Sequence, residues 1–503
     1  MSEGRFTPTR RWLLAGLAAG ATSAAGAALA APPLRSLRPE ARPGGVGARL
    51  LPSGRTLVER AKLGAAKVGF YAADAETGAV LDAMNPVLPM PPASVAKALT
   101  ALYGLDRLGA EHRFATRLIA TGPVEGGVLK GDLILAGSGD PTLDTDRLAT
   151  LAAGLASAGI TRIDGAFRLF DGALPPLHEI DPEQPPHVGY NPALSGLNLN
   201  FNRVHFEWRR AGAGWDVAMD ARSANHRPDV RIARMSVVQR RFPIYTYEAQ
   251  GDTDRWTVAS GALGDNGSRW LPVRRPALYT AEVFGILARS LGVTLPLAEP
   301  VATLPAGAEI ARVESEDLRA VVRDMLKYST NLTAEAVGLS ASVQGGGRPE
   351  TLAESAAAMS GWLGARIGSH RPALVDHSGL GGASRITARD MVRALVLIGP
   401  GQQVEPLLKP IPMKDEKGRP QPDHPVTIHA KTGTLNFVSA LAGYAQAPGG
   451  RKIAFATFVA DIPRRDALTP EQRERPEGGR NWAGRARLLQ LRLIERWSAL
   501  TTA

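Results

Sequence analysis

Apolar positions along the chain follow two periods, and the switches between them divide it. After a Pro- and Arg-rich start at residue 31, Thr56 to Ala66 has a helical pattern. Val68 to Ala73 reads as a strand that turns through Glu76-Thr77-Gly78 into Ala79-Val80-Leu81, a β-hairpin. Pro91-Pro92 stops that pattern. The Ala-rich stretch from Lys97 to Leu108, closed by Gly109, predicts a helix. From Phe114 to about residue 306 the apolar runs become short. Leu133 to Ala136, Ile163 to Phe170, Val204 to Trp208 and Trp256 to Ser260 read as strands parted by Gly, Pro, Asp and Asn. Helical patterns return from Gly307, over Ser315 to Tyr328, Asn331 to Ser342, Glu350 to Ile367 and Thr387 to Ile398. Residues 409–424, rich in Pro and Lys, predict an exposed loop. Val426 to Gly433, Ser439 to Tyr444 and Ile453 to Val459 predict an antiparallel meander. Trp482 to Leu500 predicts a last helix with Leu488, Leu489, Ile494 and Trp497 as its apolar side. A one-sided sheet needs such a cover, although a membrane surface would also accept the helix.

This order predicts an α/β fold, helices on an antiparallel sheet, built from residues 31–114 and 307–503. Residues 115–306 interrupt it as a large, mainly β insertion of one or two domains. A length of 503 residues fits two or three domains. Within the insertion, Gly131 to Thr142 is a strand running into a tight turn too Gly- and Asp-rich to be core. It is a poor phosphate loop, because no Lys follows its glycines.

Composition narrows the chemistry. With no cysteine there are no disulfides, no thiol nucleophile and no Cys-ligated zinc. The nine His residues show no metal-binding spacing, so no metal or other cofactor is expected. Thr9-Arg10-Arg11-Trp12 opens an apolar run to Ala31, and Ala28-Leu29-Ala30 supplies small residues for cleavage. Residues 1–30 therefore predict a cleaved signal peptide and a periplasmic protein. The paired arginines fit the twin-arginine route, and the general secretory route fits as well. Without residues 1–30, which hold Arg5, Arg10 and Arg11 against Glu3, the formal charge of +11 falls to about +9. Such a charge suits peripheral association with an anionic wall or membrane. No base-stacking aromatic pattern points to nucleic acid.

Three short motifs carry the chemistry. Ser94-Val95-Ala96-Lys97 places a hydroxyl at a helix start and an amine one turn on, on the same face. A serine becomes nucleophilic when a lysine of lowered pKa takes its proton. Ser329-Thr330-Asn331 lies between two helices, where it could also be a cap. Lys431-Thr432-Gly433-Thr434 lies on a strand expected at the sheet edge. Each alone is short enough to recur by chance. In this order they form the S-x-x-K, S-x-N, K-T-G signature of active-site-serine enzymes that react with penicillin. Ser94 is then the nucleophile and Lys97 its base. Ser329 passes a proton to the leaving group, and Asn331 orients Lys97 and the substrate amide. Lys431 adds positive charge, while Thr432 and Thr434 hold a substrate carboxylate. Backbone N–H groups of Ser94 and Thr434 make the oxyanion hole, and the edge strand pairs with a peptide. Burial and Lys431 should lower the pKa of Lys97, and Lys431 should stay protonated.

The chain resembles the class C low-molecular-mass penicillin-binding proteins, the D-alanyl-D-alanine carboxypeptidases/endopeptidases. The resemblance rests on the three motifs, the wide gap between Ser94 and Ser329, Gly131 to Thr142, Asn198-Leu199-Asn200 with Asn202, and Ser378-Gly379-Leu380. It implies a penicillin-binding, β-lactamase-like transpeptidase-type domain acting on peptidoglycan stem peptides through an acyl-enzyme, with β-lactams as inhibitors. Thr330 stands where Asp is frequent. His377 and Gly381 flank Ser378-Gly379-Leu380 where Gly and Ser are usual, which leaves that loop's role open; His377 reads best as a satisfied loop residue. Two alternatives remain at this point, a β-lactamase-like hydrolase and an inactive wall-binding scaffold.

Overall fold

A six-stranded antiparallel sheet positions the rest of the molecule. A computed structural model describes residues 51–502, Glu416 excepted. The expected signal peptide lies outside the described residues. The strands are β1 (Lys67–Asp74), β2 (Val80–Met84), β3 (Lys409–Pro410), β4 (Thr427–Leu435), β5 (Val438–Gln446) and β6 (Lys452–Ala460). Their order is β3-β4-β5-β6-β1-β2, so the predicted hairpin and the predicted meander are parts of one sheet. β3 covers β4 only at His429 and Ala430, which leaves β4 an open edge from Lys431 onward.

Helices cover both faces. In chain order, numbering only those packed around this sheet, they are α1 (Gly54–Arg60), α2 (Ala96–Leu108), α3 (Leu318–Tyr328), α4 (Asn331–Gln344), α5 (Leu352–Ile367), α6 (Ala388–Leu397) and α7 (Gly479–Thr502). On one face, Leu99, Leu102, Val322, Val337, Met359 and Leu395 pack with Ala440, Ala442, Ala456 and Phe458. On the other, Trp482, Leu489, Ile494 and Trp497 of α7 pack with Phe70, Leu441, Phe455 and Val459. Leu489, Ile494 and Trp497 of the predicted apolar side are thus buried on the sheet, while Leu488 is half-buried outside that core. Full burial of each large side chain contributes roughly 2–3 kcal/mol before entropy is subtracted. Trp497 Nε1 and Arg496 Nε both donate to Asp82 Oδ2 at 3.1 Å, which fixes the helix over β2. Among the described residues no helix is long and apolar enough to cross a membrane.

Residues 115–314 add their own sheets. A five-stranded mixed sheet joins Ala115–Ala120, Leu133–Gly137, Phe167–Phe170, Ala298–Pro300 and Ala308–Glu314. Three three-stranded sheets accompany it, a small one of Val124–Glu125, Val128–Leu129 and Arg162–Ile163, one of Arg203–Ala211, Gly214–Asp220 and Asn266–Pro272, and one of Ala233–Val238, Tyr245–Gln250 and Thr253–Ala259. Two long helices, Thr145–Ser157 and Pro276–Ser290, accompany the sheets of this mainly β stretch. Asp144 caps the first by accepting from Arg147 N, and Leu148, Leu151 and Leu155 bury one face of it. The turn after Leu133–Gly137 is also more buried than its composition implies. Asp140 is 2% exposed, with Thr142 N and Arg147 donating to its carboxylate.

Candidate active site

Ser94 lies in a single 3-10 turn, Ala93–Val95, that runs directly into α2. Its side chain does not cap the helix. The hydroxyl instead meets Lys97, whose Nζ donates to Ser94 Oγ at 3.1 Å, to Asn331 Oδ1 at 2.7 Å and to the Ser378 carbonyl at 2.7 Å. Lys97 is fully buried, whereas Ser94 retains partial exposure. A buried ammonium is tolerable because all three of its protons have acceptors.

The second motif ends one helix and begins the next. Ser329 terminates α3 in the left-handed conformation, φ 61° and ψ 39°, which costs a non-glycine residue about 1 kcal/mol. In that conformation its hydroxyl accepts from Lys431 Nζ at 2.9 Å. The capping alternative is not realised: Thr330 occupies the cap position of α4 without a side-chain bond, and Asn331 opens the helix. Asn331 Nδ2 donates to the Tyr190 carbonyl at 2.8 Å.

The third motif lies on the open edge. Lys431 is 1% exposed and also donates to the Thr432 carbonyl at 2.8 Å. Thr432 is half-buried and Thr434 exposed. Gly433 lets β4 approach the nucleophile, since a Cβ there would lie 2.8 Å from the Pro92 carbonyl and 3.0 Å from Ser94 N. The strand alternation places Lys431 and Gly433 on one side, Thr432 and Thr434 on the other.

Electrostatics differ from expectation. Burial pushes Lys97 down to about 8, against the opposing pull of two buried carboxylates, Glu335 and Asp376. Among the described residues Lys431 has no such anion. Burial, Lys97 and Lys409 together push it further down, to about 6. Against the expectation that Lys431 stays protonated, its surroundings in the unliganded site disfavour its charge, with cations and no carboxylate among the described residues bearing on it.

Sequence reasoning passed over three contributors. Glu335 is fully buried, and its carboxylate accepts from His377 N and Ser378 N, both at 2.9 Å. Asp376 accepts from Gly379 N at 2.8 Å and Gly381 N at 2.5 Å. One signal was legible: Glu335 is a lone acid in the apolar run Leu332 to Val337, one helical turn after Asn331. Tyr190 had none. It arrives with a loop whose Leu174, Ile180 and Leu194 pack on Leu332, Ala336 and Leu339 of α4. His377 is fully buried, shares a 2.7 Å hydrogen bond with Ser355 Oγ, and is held neutral by desolvation at about 3. It is a packed and satisfied residue.

A serine facing a buried lysine, beside a second serine–lysine pair and an open strand edge, in a helix–sheet–helix fold, defines an active-site-serine hydrolase of the penicillin-recognising class. The family model described as the D-Ala-D-Ala carboxypeptidase 3 (S13) family matches residues 55–477, and the chain belongs to that family. The D-alanyl-D-alanine carboxypeptidase of Actinomadura sp. (strain R39) is 26% identical over 473 residues, 85% of this chain and 86% of that one. D-alanyl-D-alanine carboxypeptidase DacB of Haemophilus influenzae is 25% identical over 422 residues, 78% of this chain and 85% of that one. The crystal structure of penicillin binding protein 4 (dacB) from Haemophilus influenzae has a TM-score of 0.69 at 20% identity, over 88% of this chain and 99% of that one, and shows the shared fold.

Proposed function

We propose that this protein is a periplasmic serine DD-peptidase in which Ser94 is the nucleophile and Lys97 its general base. The observation that carries the reading is the 3.1 Å contact between Lys97 Nζ and Ser94 Oγ in a site closed by the Lys431–Ser329 pair. Ser94 Oγ attacks the carbonyl carbon of the D-Ala-D-Ala bond, and its proton passes to neutral Lys97. The developing oxyanion is held by the backbone N–H groups of Ser94 and Thr434. The C–N bond breaks as Ser329 gives its proton to the departing D-alanine amine and takes in return the proton that Lys97 removed from Ser94, while Lys431 keeps its charge. Water then hydrolyses the ester and returns the enzyme. A penicillin follows the first half of this path and remains as the acyl-enzyme.

The terminal carboxylate of the substrate, held by Thr432 and Thr434, supplies the anion that Lys431 lacks. Its arrival raises the pKa of Lys431, and the restored charge in turn drives Lys97 toward its neutral, base-competent form. β4 receives the stem peptide along its open edge. Residues 115–306 form the insertion of this catalytic unit, extended by the strand Ala308–Glu314 that pairs with Ala115–Ala120; one core, drawn from Leu118 to Val313, supports a division near residue 314. Cleavage of cross-links is the same chemistry with a larger amine as leaving group. The net positive charge favours a peripheral position at the anionic wall.

Mass spectrometry of products released from intact, cross-linked sacculi tests the reading. Free D-alanine or resolved cross-links support it. Rapid turnover of nitrocefin without either product would favour the β-lactamase-like alternative.

A further inference from the structure

Lys97 must do more than lose a proton; its lone pair must then point at Ser94 Oγ. As an ammonium it donates to Ser94 Oγ, Asn331 Oδ1 and the Ser378 carbonyl. As a neutral amine it keeps two donors and one lone pair. If the two donors stay on Asn331 Oδ1 and the Ser378 carbonyl, the lone pair is left facing Ser94 Oγ. The Ser378 carbonyl thus fixes the direction of the base, although none of the three motifs contains it.

That carbonyl is held in turn. The two carboxylate oxygens of Glu335 accept the N–H groups of His377 and Ser378, which clamps the peptide preceding the carbonyl. Asp376 ties Gly379 and Gly381 on the other side. Thr100 Oγ1 of α2 donates to the His377 carbonyl at 2.5 Å, joining the same loop to the helix that carries Lys97. Gly379 presses against the turn before Ser94, where a Cβ would fall 1.9 Å from the Ala93 carbonyl. Resting on the functional reading above, we infer that Glu335 is a positioning residue for the reaction, aiming Lys97 at Ser94 through the Ser378 peptide and setting the pH at which that lysine becomes a base.

The groups bearing on Lys97 are Glu335 from α4, Asp376 from the 376–381 loop and Lys431 from β4; Asp181 further opposes the ionisation of Asp376, and Lys409 that of Lys431. Burial and Asp376 push the Glu335 carboxyl up to about 8, the N–H bonds from Ser378 and His377 and the charge of Lys97 pull it back, and its ionised form opposes loss of the Lys97 proton.

The test is acylation of the full chain by a fluorescent penicillin across pH, with noncovalent affinity and melting temperature measured alongside. Glu335→Gln removes the charge at constant shape. The expected result is an acid limb displaced to lower pH by about one unit, with the maximal acylation rate reduced about tenfold and penicillin affinity nearly unchanged. An acid limb and rate equal to wild type overturn the inference, and a lowered melting temperature alone would mark Glu335 as merely structural and overturn it too. Should Glu335→Gln fail to fold, Glu335→Asp decides: it keeps the charge and shortens the reach, so slower acylation with an unmoved limb is expected, and wild-type acylation overturns the inference. Failure of wild type to acylate at all would instead overturn the functional reading itself.

Discussion

At the scale of single residues, the two lysines are chemically alike and differently surrounded. Lys97 faces two buried carboxylates, and Lys431 faces none among the described residues. Lys97→Arg keeps a cation but cannot give a base, since guanidinium stays protonated at working pH. Its acylation by penicillin should nearly vanish at every pH up to mild alkali. Lys431→Arg keeps a charge near the carboxylate position and misplaces it, so acylation should weaken less, mainly through poorer binding. Acylation rates of both variants over pH check this. The wild-type rate should itself climb as pH rises through about 8, where Lys97 loses its proton. Equal rates for Lys97→Arg and wild type would remove Lys97 as the base.

At the scale of elements, a close approach and a tied turn make sharp demands. Gly433 allows β4 to touch the Ser94 turn, and Gly433→Ala inserts a methyl against the Pro92 carbonyl and Ser94 N. The strand edge must then retreat by a few tenths of an ångström, and acylation should fall about tenfold or more while the circular dichroism spectrum stays unchanged. Asp74 ends β1 and accepts from Glu76 N, from Thr77 N and Oγ1, and from Arg451 Nε, tying one hairpin to the next. These bonds lower its carboxyl from 3.8 to about 2. A lowered folded-state pKa gives stability that is full above the unfolded value and lost as pH falls through the folded one. Asp74→Asn should therefore cost about 2 kcal/mol near pH 7 and nearly nothing below pH 2, read by denaturant unfolding at both pH values. A cost that does not change with pH would show that the bonds do not depend on the charge.

The elements also show what a sequence reveals. Hairpin, meander and last helix follow from local periodicity, and the structure carries all three. The helices Thr145–Ser157 and Pro276–Ser290 left equally local signals, the Asp144 cap and Pro276 at the helix start, and stand beside the sheets of a stretch read as mainly β. Ser94 and Lys97 are legible because one helical turn joins them. The Ser378 carbonyl lies 281 positions from Lys97 and is a backbone group, so no side-chain motif could announce it. Tyr190 likewise reaches Asn331 through a carbonyl 141 positions away.

At the scale of the whole molecule, residues between Leu118 and Val313 share a core of their own, yet the 174–194 loop packs on α4 beside the site. Limited proteolysis should nick exposed turns such as Gly212 or Gly251 while a fragment that still binds penicillin stays folded. Cleavage that always unfolds both parts together would argue for one merged domain. Everything in the proposed mechanism depends on Ser94 being the nucleophile, and its test is direct. Ser94→Ala removes only an oxygen that does not cap α2, so the fold should be retained. The full chain, treated with penicillin and digested, should carry one adduct by mass spectrometry, on the peptide containing Ser94, and Ser94→Ala should carry none. An adduct on Ser329 or any other serine, or labelling of Ser94→Ala at the wild-type rate, would contradict the mechanism.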